Sequence, residues 1–216
     1  MAKTKIGLIR VVSFEDRKIA ELHGRLIEQY YPMLQVISRC IKDQPKGIYN
    51  DETEALAIPK IVELGLEFDK EGEIKALIIS CAADPGVAEL RKQISIPVIG
   101  AGSAVAALAL TYSDKVGTLG ITEATPQVME DILGSHLVAE SKPEGVQTTL
   151  DLMTRQGKNK VLASVKSIKE KGAEVIALAC TGYSTIGISE ELERESGLPV
   201  LDAVLAAGLS TWYFTR

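Results

Sequence analysis

The stretch Lys75-Ala-Leu-Ile-Ile-Ser-Cys-Ala-Ala-Asp-Pro-Gly86 decides the fold that the sequence predicts. Its apolar run, Ala76 to Ile79, is short and is closed by turn-forming residues, a pattern typical of a buried parallel strand. Cys81 then falls at the carboxyl end of that strand. Because open α/β sheets bind ligands at the carboxyl ends of their strands, we expect Cys81 to lie in a functional site.

A second stretch repeats this layout later in the chain. Glu174-Val-Ile-Ala-Leu-Ala-Cys-Thr-Gly-Tyr-Ser184 carries Cys180 at the matching point, 99 positions after Cys81. Two further landmarks recur in the same order, namely Pro97 with Pro199 and, 110 positions apart, Lys5 with Lys115. Landmarks that recur in one order at similar offsets indicate an internal duplication of about half the chain.

Strand and helix patterns alternate along both halves, which argues for parallel sheets covered by helices. The sequence therefore predicts an α/β protein of two similar Rossmann-like halves. Each half is a mostly parallel sheet covered by helices, and a pseudo-two-fold duplication relates them. We expect the first half to span residues 1–112 and the second residues 113–216, allowing for a crossover of the chain near the C-terminus. Halves that pack face to face would bring both strand-end cysteines to one cleft.

Composition argues against several classes of partner. The 216 residues are 46% hydrophobic and 25% charged, as in an ordinary globular protein. The net charge of −5 offers no attraction to nucleic acid or an anionic membrane, and no apolar run approaches the roughly 18 residues of a membrane span. The basic start passes directly into a strand pattern without a signal sequence, so we expect a cytoplasmic protein with reduced cysteines. The expected partner is a small-molecule substrate, and a homo-oligomer stays open.

The two matched cysteines are the candidate catalytic residues. A lone cysteine is more often a buried core residue, but two at equivalent strand ends of a repeat favour a shared function. A thiolate could remove a proton from one face of a substrate carbon while the opposite thiol delivers one to the other face, which inverts a stereocentre. Helices expected soon after each cysteine would favour the thiolate through their free N–H groups. Cys40 has no counterpart in the second half and is interpreted as structural.

Other uses of the cysteines fit the sequence less well. A redox pair typically appears as Cys-x-x-Cys and a zinc site needs more ligands. A cysteine hydrolase needs a paired base, whereas His23 and His136 lie outside both motifs. The chain also lacks a Gly-x-Gly-x-x-Gly motif after its first strand and a Gly-Lys-Ser/Thr phosphate loop. None of these patterns supports a metal or nucleotide site.

Two further features each have more than one interpretation. Asp84 precedes Pro85-Gly86, as a cap of the following helix would, but its carboxylate could also orient substrate or the Cys81 loop. The loop from Lys42 to Asp51 is long enough to reach over a site as a lid. The segment Gly100-Ala-Gly102-Ser is typical of a tight strand-to-helix turn, although it could also touch a ligand.

Both cysteine segments resemble a known family. Cys81-Ala-Ala-Asp-Pro-Gly86 and Ala179-Cys-Thr-Gly-Tyr183 are similar to the two cysteine motifs of the aspartate/glutamate/hydantoin racemase superfamily, and the first is most similar to hydantoin racemases. Amino-acid racemases of this superfamily usually carry Cys-Asn-Thr first and Cys-Thr-His or Cys-Thr-Glu second, where this chain has Ala82-Ala83 and Gly182. Hydantoin racemases typically have Asn-Pro-Asn-Thr after the first strand, where this chain has Arg10-Val-Val-Ser13.

The resemblance implies a cofactor-independent racemase with Cys81 and Cys180 as its two acid/base residues. It implies neither a cofactor nor a metal. The residues that we expect to bind substrate come after strands of the two halves and are Ser13, Ala82, Ala83, Asp84, Thr122, Thr181 and Gly182.

A 5-substituted hydantoin is the substrate that the sequence favours. Neither cysteine motif contains an Arg or Lys to pair with a substrate carboxylate, and backbone N–H groups could hold the carbonyls of a neutral ring. An aspartate/glutamate-type amino-acid racemase is the alternative enzyme. A non-catalytic small-ligand-binding protein of the same fold is the alternative from another class. A decarboxylase of this superfamily usually keeps only one cysteine, so the pair counts against it.

Overall fold

The computed structural model describes residues 3–216, and within that range the chain forms eight strands, eleven α-helices and one short 3₁₀ helix. The elements of the first part of the chain are β1 (Thr4–Arg10), α1 (Arg17–Ala20), α2 (Leu22–Tyr30), β2 (Leu34–Cys40), α3 (Asp51–Glu71), β3 (Leu77–Ser80), α4 (Val87–Arg91), β4 (Val98–Gly100) and α5 (Ala101–Leu110). The elements of the second part are β5 (Val116–Leu119), α6 (Gln127–Leu133), the 3₁₀ helix (Gly134–His136), β6 (Leu137–Ser141), α7 (Thr149–Leu152), α8 (Arg155–Glu170), β7 (Val175–Leu178), α9 (Gly182–Ile186), α10 (Ser189–Ser196), β8 (Val200–Leu201) and α11 (Ala203–Thr215).

The strands of residues 3–216 form two four-stranded sheets of the same order, β2-β1-β3-β4 and β6-β5-β7-β8. Neighbouring strands are parallel in both sheets. Arg10 lies level with Ser80 in the first sheet, and Leu119 lies level with Leu178 in the second. Each cysteine segment therefore leaves its sheet beside the first strand of its own half. The predicted α/β fold of two similar parallel sheets covered by helices is confirmed.

The burial of the central strands explains their continuous apolar runs. All residues of β3, β5 and β7 are buried, because a parallel sheet is covered by helices on both faces. The edge strand β2, in contrast, is only partly buried beyond its first residue. A run such as Leu77-Ile-Ile-Ser80 therefore has no polar alternation, and its length of four residues is what distinguishes it from a helix.

Two alanine-rich helices, α5 and α11, pack against each other between the sheets. One hydrophobic core cluster extends from Ile6 and Leu8 of the first sheet to Val175 and Ala177 of the second, and it includes both helices. Helix α11 also contacts α2, β3 and β4 of the first part of the chain. Small side chains allow this close approach, since a Cβ atom at Gly208 would lie within 2.8 Å of the Tyr31 ring.

Asp84 does not cap the helix that follows it, which corrects one interpretation of its sequence. Its backbone is left-handed, with φ of 53°, and α4 begins only at Val87. The carboxylate crosses instead to the start of α5, where Oδ1 accepts a hydrogen bond from Gly102 N at 2.7 Å and Oδ2 accepts one from Ser103 N at 2.9 Å. A carboxylate there satisfies free N–H groups and complements the helix dipole, so it fixes the Cys81 loop on α5.

Two glycines at the start of α5 make room for that loop. A Cβ atom at Gly100 would overlap the Asp84 carboxylate, and one at Gly102 would overlap the carbonyl oxygen of Ala82. The Gly100-Ala-Gly102 turn is therefore required by the approach of the cysteine loop and not only by the strand-to-helix turn itself.

The second half makes the equivalent contact, but there the carboxylate belongs to the helix and not to the cysteine segment. Asp202 is the N-cap of α11, and its Oδ1 accepts hydrogen bonds from Val204 N at 2.8 Å and Leu205 N at 3.1 Å. The same oxygen accepts a hydrogen bond at 2.8 Å from the hydroxyl of Ser184, which lies on α9 shortly after Cys180. A carboxylate therefore joins the cysteine segment to the last helix in both halves, from the loop in the first and from the helix in the second.

Replacing Gly102 by alanine is expected to destabilise the fold. Alanine improves helix propensity by about 1 kcal/mol, but overpacking typically costs about 1–3 kcal/mol, and here the obstacle is a backbone carbonyl that cannot turn away. We expect a lower free energy of unfolding in urea titrations. The matched control is Gly120→Ala, where the nearest atom to the added Cβ lies at 3.6 Å, so its loss of stability should be clearly smaller than that of Gly102→Ala. Equal stability of the two variants would contradict the role assigned to Gly102.

Candidate active site

A cavity of about 520 Å³ lies where the carboxyl ends of β1, β3, β5 and β7 converge. Cys81 and Cys180 both line it. Residues after each of the four strands complete this part of the lining and are Val11, Val12, Ala82, Ala83, Ile121, Thr122, Thr181 and Gly182. The volume lies within the range of small-molecule sites. The two cysteines that the sequence aligned are thus brought to one cavity.

The segment between β2 and α3 covers one side of this cavity. Residues 47–51 line it, so the loop from Lys42 to Asp51 does reach the site. Ser13 anchors the beginning of that loop, because its hydroxyl donates to Ile41 O at 2.7 Å and accepts from Gln44 N at 2.8 Å. Gln44 is itself buried and bonded to backbone carbonyls within the loop and α3. The covering segment is therefore fastened at its base.

Cys81 is partly buried and is surrounded by groups that oppose its ionisation. Burial raises the pKa of its thiol far above the ordinary value. The backbone N–H of Ala83 lowers this pKa, whereas Cys180, Asp84 and Glu54 raise it further. Cys81 is therefore a neutral thiol at neutral pH.

Cys180 has a similar backbone contact but different charged neighbours. Its sulfur accepts a hydrogen bond from Gly182 N at 3.3 Å, and its side chain is 8% exposed. Burial raises the pKa of this thiol, and the Gly182 N–H, the Thr149 hydroxyl and the Arg10 guanidinium each lower it. Burial outweighs the three favourable contacts, so the pKa stays above its ordinary value. In both halves the backbone N–H two residues after the cysteine lowers the pKa of the thiol. Only Cys180 has a cation, Arg10, among the groups that lower its pKa.

Buried hydrogen bonds join the two cysteine segments across the halves. The Thr181 hydroxyl donates to Ser80 O at 3.1 Å, directly before Cys81. His23 of α2 is fully buried and hydrogen-bonds through Nδ1 to Ser80 Oγ at 2.8 Å and through Nε2 to Thr185 Oγ1 at 2.9 Å. Burial, followed by the charge of Arg10, lowers the pKa of His23 well below its ordinary value, so the ring is neutral. One imidazole thus connects the end of β3 to helix α9.

Arg10 ends β1 and lines the cavity, although its side chain is only 2% exposed. Nη1 donates to Ile19 O at 2.9 Å, and Nη2 donates to Thr185 Oγ1 at 3.3 Å. The guanidinium also lies 5.1 Å from the centre of the Phe14 ring. Burial lowers the pKa of Arg10 to about 10, so it is still charged at neutral pH. No ion pair within residues 3–216 involves Arg10.

The rest of the charged lining is acidic. The acidic residues of the lining are Asp51, Glu54, Glu123 and Glu130, and Arg10 is the one basic residue among the described residues around the cavity. Burial and the neighbouring Asp51 raise the pKa of Glu54. Such a lining disfavours a ligand with several carboxylates, because like charges repel more strongly where water is excluded.

The structure brings together most of the residues predicted to bind substrate. Those that line the cavity are Ala82, Ala83, Thr122, Thr181 and Gly182. Ser13 and Asp84 do not line it. The Ser13 hydroxyl is engaged with the covering loop, and the Asp84 carboxylate is engaged with the start of α5. These two residues hold the segments that form the site.

Sequence reasoning missed Arg10 and His23. Arg10 did carry a signal, since it ends an apolar strand at the position in β1 that corresponds to Ser80 in β3. His23 lies on the buried face of α2, and nothing in its spacing connects it to either cysteine motif. Glu54 was missed as well, because only the fold shows that the first turn of α3 borders the cavity.

Among residues 3–216, no group of three or more His, Cys, Asp or Glu side chains is arranged to hold a metal ion. Over the same range, no helix combines the length and the apolar character needed to cross a membrane.

Comparison with known proteins gives the family. A sequence profile described as Asp/Glu/Hydantoin racemase matches residues 15–208, most of the chain. A hydantoin racemase from Pseudomonas sp. (strain NS671) is 26% identical over 185 residues, which cover 80% of this chain and 70% of that protein.

Two solved structures share the fold. An allantoin racemase from Klebsiella pneumoniae superposes with a TM-score of 0.83 at 22% identity, over 98% of this chain and 87% of its own. A glutamate racemase isoform from Bacillus anthracis superposes with a TM-score of 0.69 at 18% identity, over 97% of this chain and 80% of its own. With the profile covering nearly all of it, this chain belongs to the Asp/Glu/Hydantoin racemase family, and it is an isomerase of the racemase kind.

Proposed function

We propose that the chain is a cofactor-independent racemase in which Cys81 and Cys180 transfer protons at a carbon next to a carbonyl, with 5-monosubstituted hydantoins as substrates. One observation carries the proposal. The two cysteines follow equivalent strands of the two sheets and line the same cavity of small-molecule size. The named hydantoin racemase relative supports the choice of substrate.

The reaction needs one thiolate and one thiol. The thiolate takes the proton from C5 of the ring, so an S–H bond forms as the C–H bond breaks. The electron pair left behind is delocalised onto the adjacent carbonyl oxygen as an enolate. The opposite thiol then gives its proton to the other face of the same carbon and becomes a thiolate. The substrate is inverted, thiol and thiolate have changed places, and the other enantiomer follows the same path in reverse.

The loops after the two cysteines hold the reacting ring. We assign to the backbone N–H groups near Ala82, Ala83, Thr181 and Gly182 the binding of the ring carbonyls, where negative charge develops in the enolate. Thr122, in the loop after β5, contributes a hydroxyl that can bind the ring. In the structure this hydroxyl donates to Ala124 O at 2.7 Å. Ser13 and Asp84 act indirectly, by fastening the covering loop and the Cys81 loop.

The charges of the cavity favour a neutral ring over an acidic amino acid. The sequence argument was that neither cysteine motif contains an Arg or Lys, but Arg10, from outside both motifs, lines the same cavity. Both terminal nitrogens of Arg10 are, however, already bonded to protein acceptors, so its fork is not free for a carboxylate. Acidic residues such as Glu54 and Glu130 would repel aspartate or glutamate and could accept hydrogen bonds from ring N–H groups.

Replacing either cysteine by serine should abolish racemisation in both directions. Serine keeps the shape, but its hydroxyl is far too weak an acid to serve as the proton-transfer group at neutral pH. Each direction of the reaction needs both groups, so kcat should fall by about a hundredfold to ten-thousandfold or more, as measured by polarimetry. Each variant should still exchange the C5 hydrogen of one enantiomer with deuterated solvent, and the two variants should prefer opposite enantiomers.

Cys40→Ser is the control for these substitutions. Cys40 ends β2 and does not line the cavity, so this variant should keep turnover close to that of the parent protein. Full activity of Cys180→Ser on both enantiomers would rule out the two-thiol mechanism and return Cys180 to the role of a core residue.

The substrate class can be tested with solvent deuterium. We expect deuterium to enter C5 of 5-monosubstituted hydantoins as optical rotation is lost, and we expect free aspartate and glutamate to react at least about a hundredfold more slowly. Proton NMR and polarimetry on the same samples measure both processes. A faster reaction with free amino acids would identify the alternative racemase. Saturable binding of a hydantoin without any exchange of its C5 hydrogen would identify a non-catalytic binding protein.

A further inference from the structure

We propose that Arg10 makes the two thiols unequal, so that when the pair carries one negative charge this charge resides on Cys180 with Arg10 as its counter-ion, and Cys81 begins the cycle as the thiol. The roles of acid and base in this inference rest on the two-thiol function proposed above. The unequal ionisation itself is a property of the site and does not depend on turnover.

The first argument is that Arg10 is a buried cation without an acidic partner. Its side chain is 2% exposed, and its terminal nitrogens bond only to neutral acceptors, the backbone of α1 and the hydroxyl of Thr185. Removing a cation from water is costly unless an anion compensates for it. The groups that interact electrostatically with Arg10 are His23, which is neutral, and the thiols Cys40 and Cys180. Of the two thiols, only Cys180 lines the cavity.

The second argument is that the hydrogen bonds of Arg10 direct it toward the Cys180 side. Thr185, which accepts from Nη2, lies on α9, the helix that follows Cys180 directly. The same hydroxyl is bonded to His23, so its position is fixed from two sides. Arg10 comes from the first half of the fold and therefore acts on the cysteine of the second half.

The third argument is the absence of an equivalent cation on the other side. The repeat offset of 110 between Lys5 and Lys115 makes Gly120 the counterpart of Arg10. The structure agrees, because Arg10 is level with Ser80 before Cys81, and a Cβ atom at Gly120 would lie 3.6 Å from that of Ala179, before Cys180. A glycine cannot supply a charge toward Cys81. The pseudo-two-fold symmetry of the fold is thus broken at this position.

The fourth argument is that the charges near Cys81 have the opposite sign. The Glu54 and Asp84 carboxylates oppose formation of a thiolate there, and Cys180 opposes it as well once ionised. Around Cys180 the polar neighbours are the Gly182 N–H, the Thr149 hydroxyl and Arg10, all of which favour the anion. Tyr183 is buried and adjacent, but burial raises its pKa well above the ordinary value and keeps it neutral. Arg10 is therefore a positioning residue that acts through the Cys180 sulfur.

Alkylation by iodoacetamide tests this inference without turnover, since the thiolate is the reacting form and the reagent is uncharged. The variant Cys40→Ser/Cys81→Ser leaves Cys180 as the sole cysteine, and Cys40→Ser/Cys180→Ser leaves Cys81. We expect Cys180 to react faster than Cys81 between pH 7 and 9, although Cys180 is the more buried. Adding Arg10→Gln should slow Cys180 about tenfold at pH 8, the effect of one pKa unit, and should change Cys81 less than about twofold.

Arg10→Lys is the matched control because it keeps the charge, and it should restore the rate for Cys180 to within about threefold of the parent. Circular dichroism and thermal melting show which variants fold. If Arg10→Gln does not fold, the order of reactivity of the two single-cysteine proteins with Arg10 intact still decides the question. Faster alkylation of Cys81, or equal slowing of both cysteines by Arg10→Gln, would overturn the inference. Unequal ionisation in a protein that does not racemise hydantoins would uphold it while refuting the proposed function.

Discussion

The positions of both cysteines depend on a carboxylate bound at the amino terminus of the last helix in each half. Asp84 provides it for α5 and Asp202 for α11. Burial raises the pKa of both carboxylates, and the backbone N–H groups that they accept from lower it. A carboxylate in such a place is costly unless its hydrogen bonds are made, so the loop and the helix must keep their relative position. Hydrogen bonds at a helix amino terminus therefore fix the cysteine loops at the edge of the cavity. In each half they join the loop to a helix that begins about 18 residues later in the sequence.

The acidic residue belongs to the cysteine loop in one half and to the helix in the other, and this difference explains the composition of the two strand-to-helix turns. In the first half the acid belongs to the loop, and the helix start is Gly100 because a side chain there would occupy the same space. In the second half the acid belongs to the helix, and the cysteine segment presents the hydroxyl of Ser184 instead. Two sequences that look different at these positions thus perform one structural task. A repeat can preserve an interaction while moving its charged member from one segment to the other.

The fold could be predicted from the sequence because its determinants are local and repeated. The apolar run before Cys81 and the similar run before Cys180 each indicate the length, the burial and the position of a strand. Both strands are present in the structure, as β3 and β7. Asp84 was harder, because its sequence context of Asp-Pro-Gly predicts a cap of the next helix, while its partner lies on α5. The left-handed backbone at Asp84 turns the carboxylate away from α4, and no short-range pattern encodes that direction.

The candidate site was predictable only where it follows strand ends. Arg10 does end a strand, so the same reasoning could have identified it. A charged side chain at a strand end is usually solvated, however, and the burial of Arg10 results from its contacts with α1 and α9. The role of His23 could not be predicted from the sequence, since its two hydrogen bonds join residues from different halves. Both residues make the two halves differ, and a comparison of repeated motifs does not detect residues that have no counterpart in the other half.

Asymmetry between the thiols is compatible with a racemase, and thermodynamics limits where it can be observed. Two enantiomers have equal free energy in water, so the equilibrium constant is one and kcat/KM must be the same in both directions. A counter-ion on one thiolate cannot favour one enantiomer in that ratio. In the proposed mechanism it can only divide the ratio differently between kcat and KM. The enantiomer whose hydrogen faces Cys180 would meet the thiolate directly, whereas the other would first require a proton to pass from Cys81 to Cys180. Under this proposal, Arg10 would give the two thiols a defined starting state without changing the equilibrium that a racemase must reach.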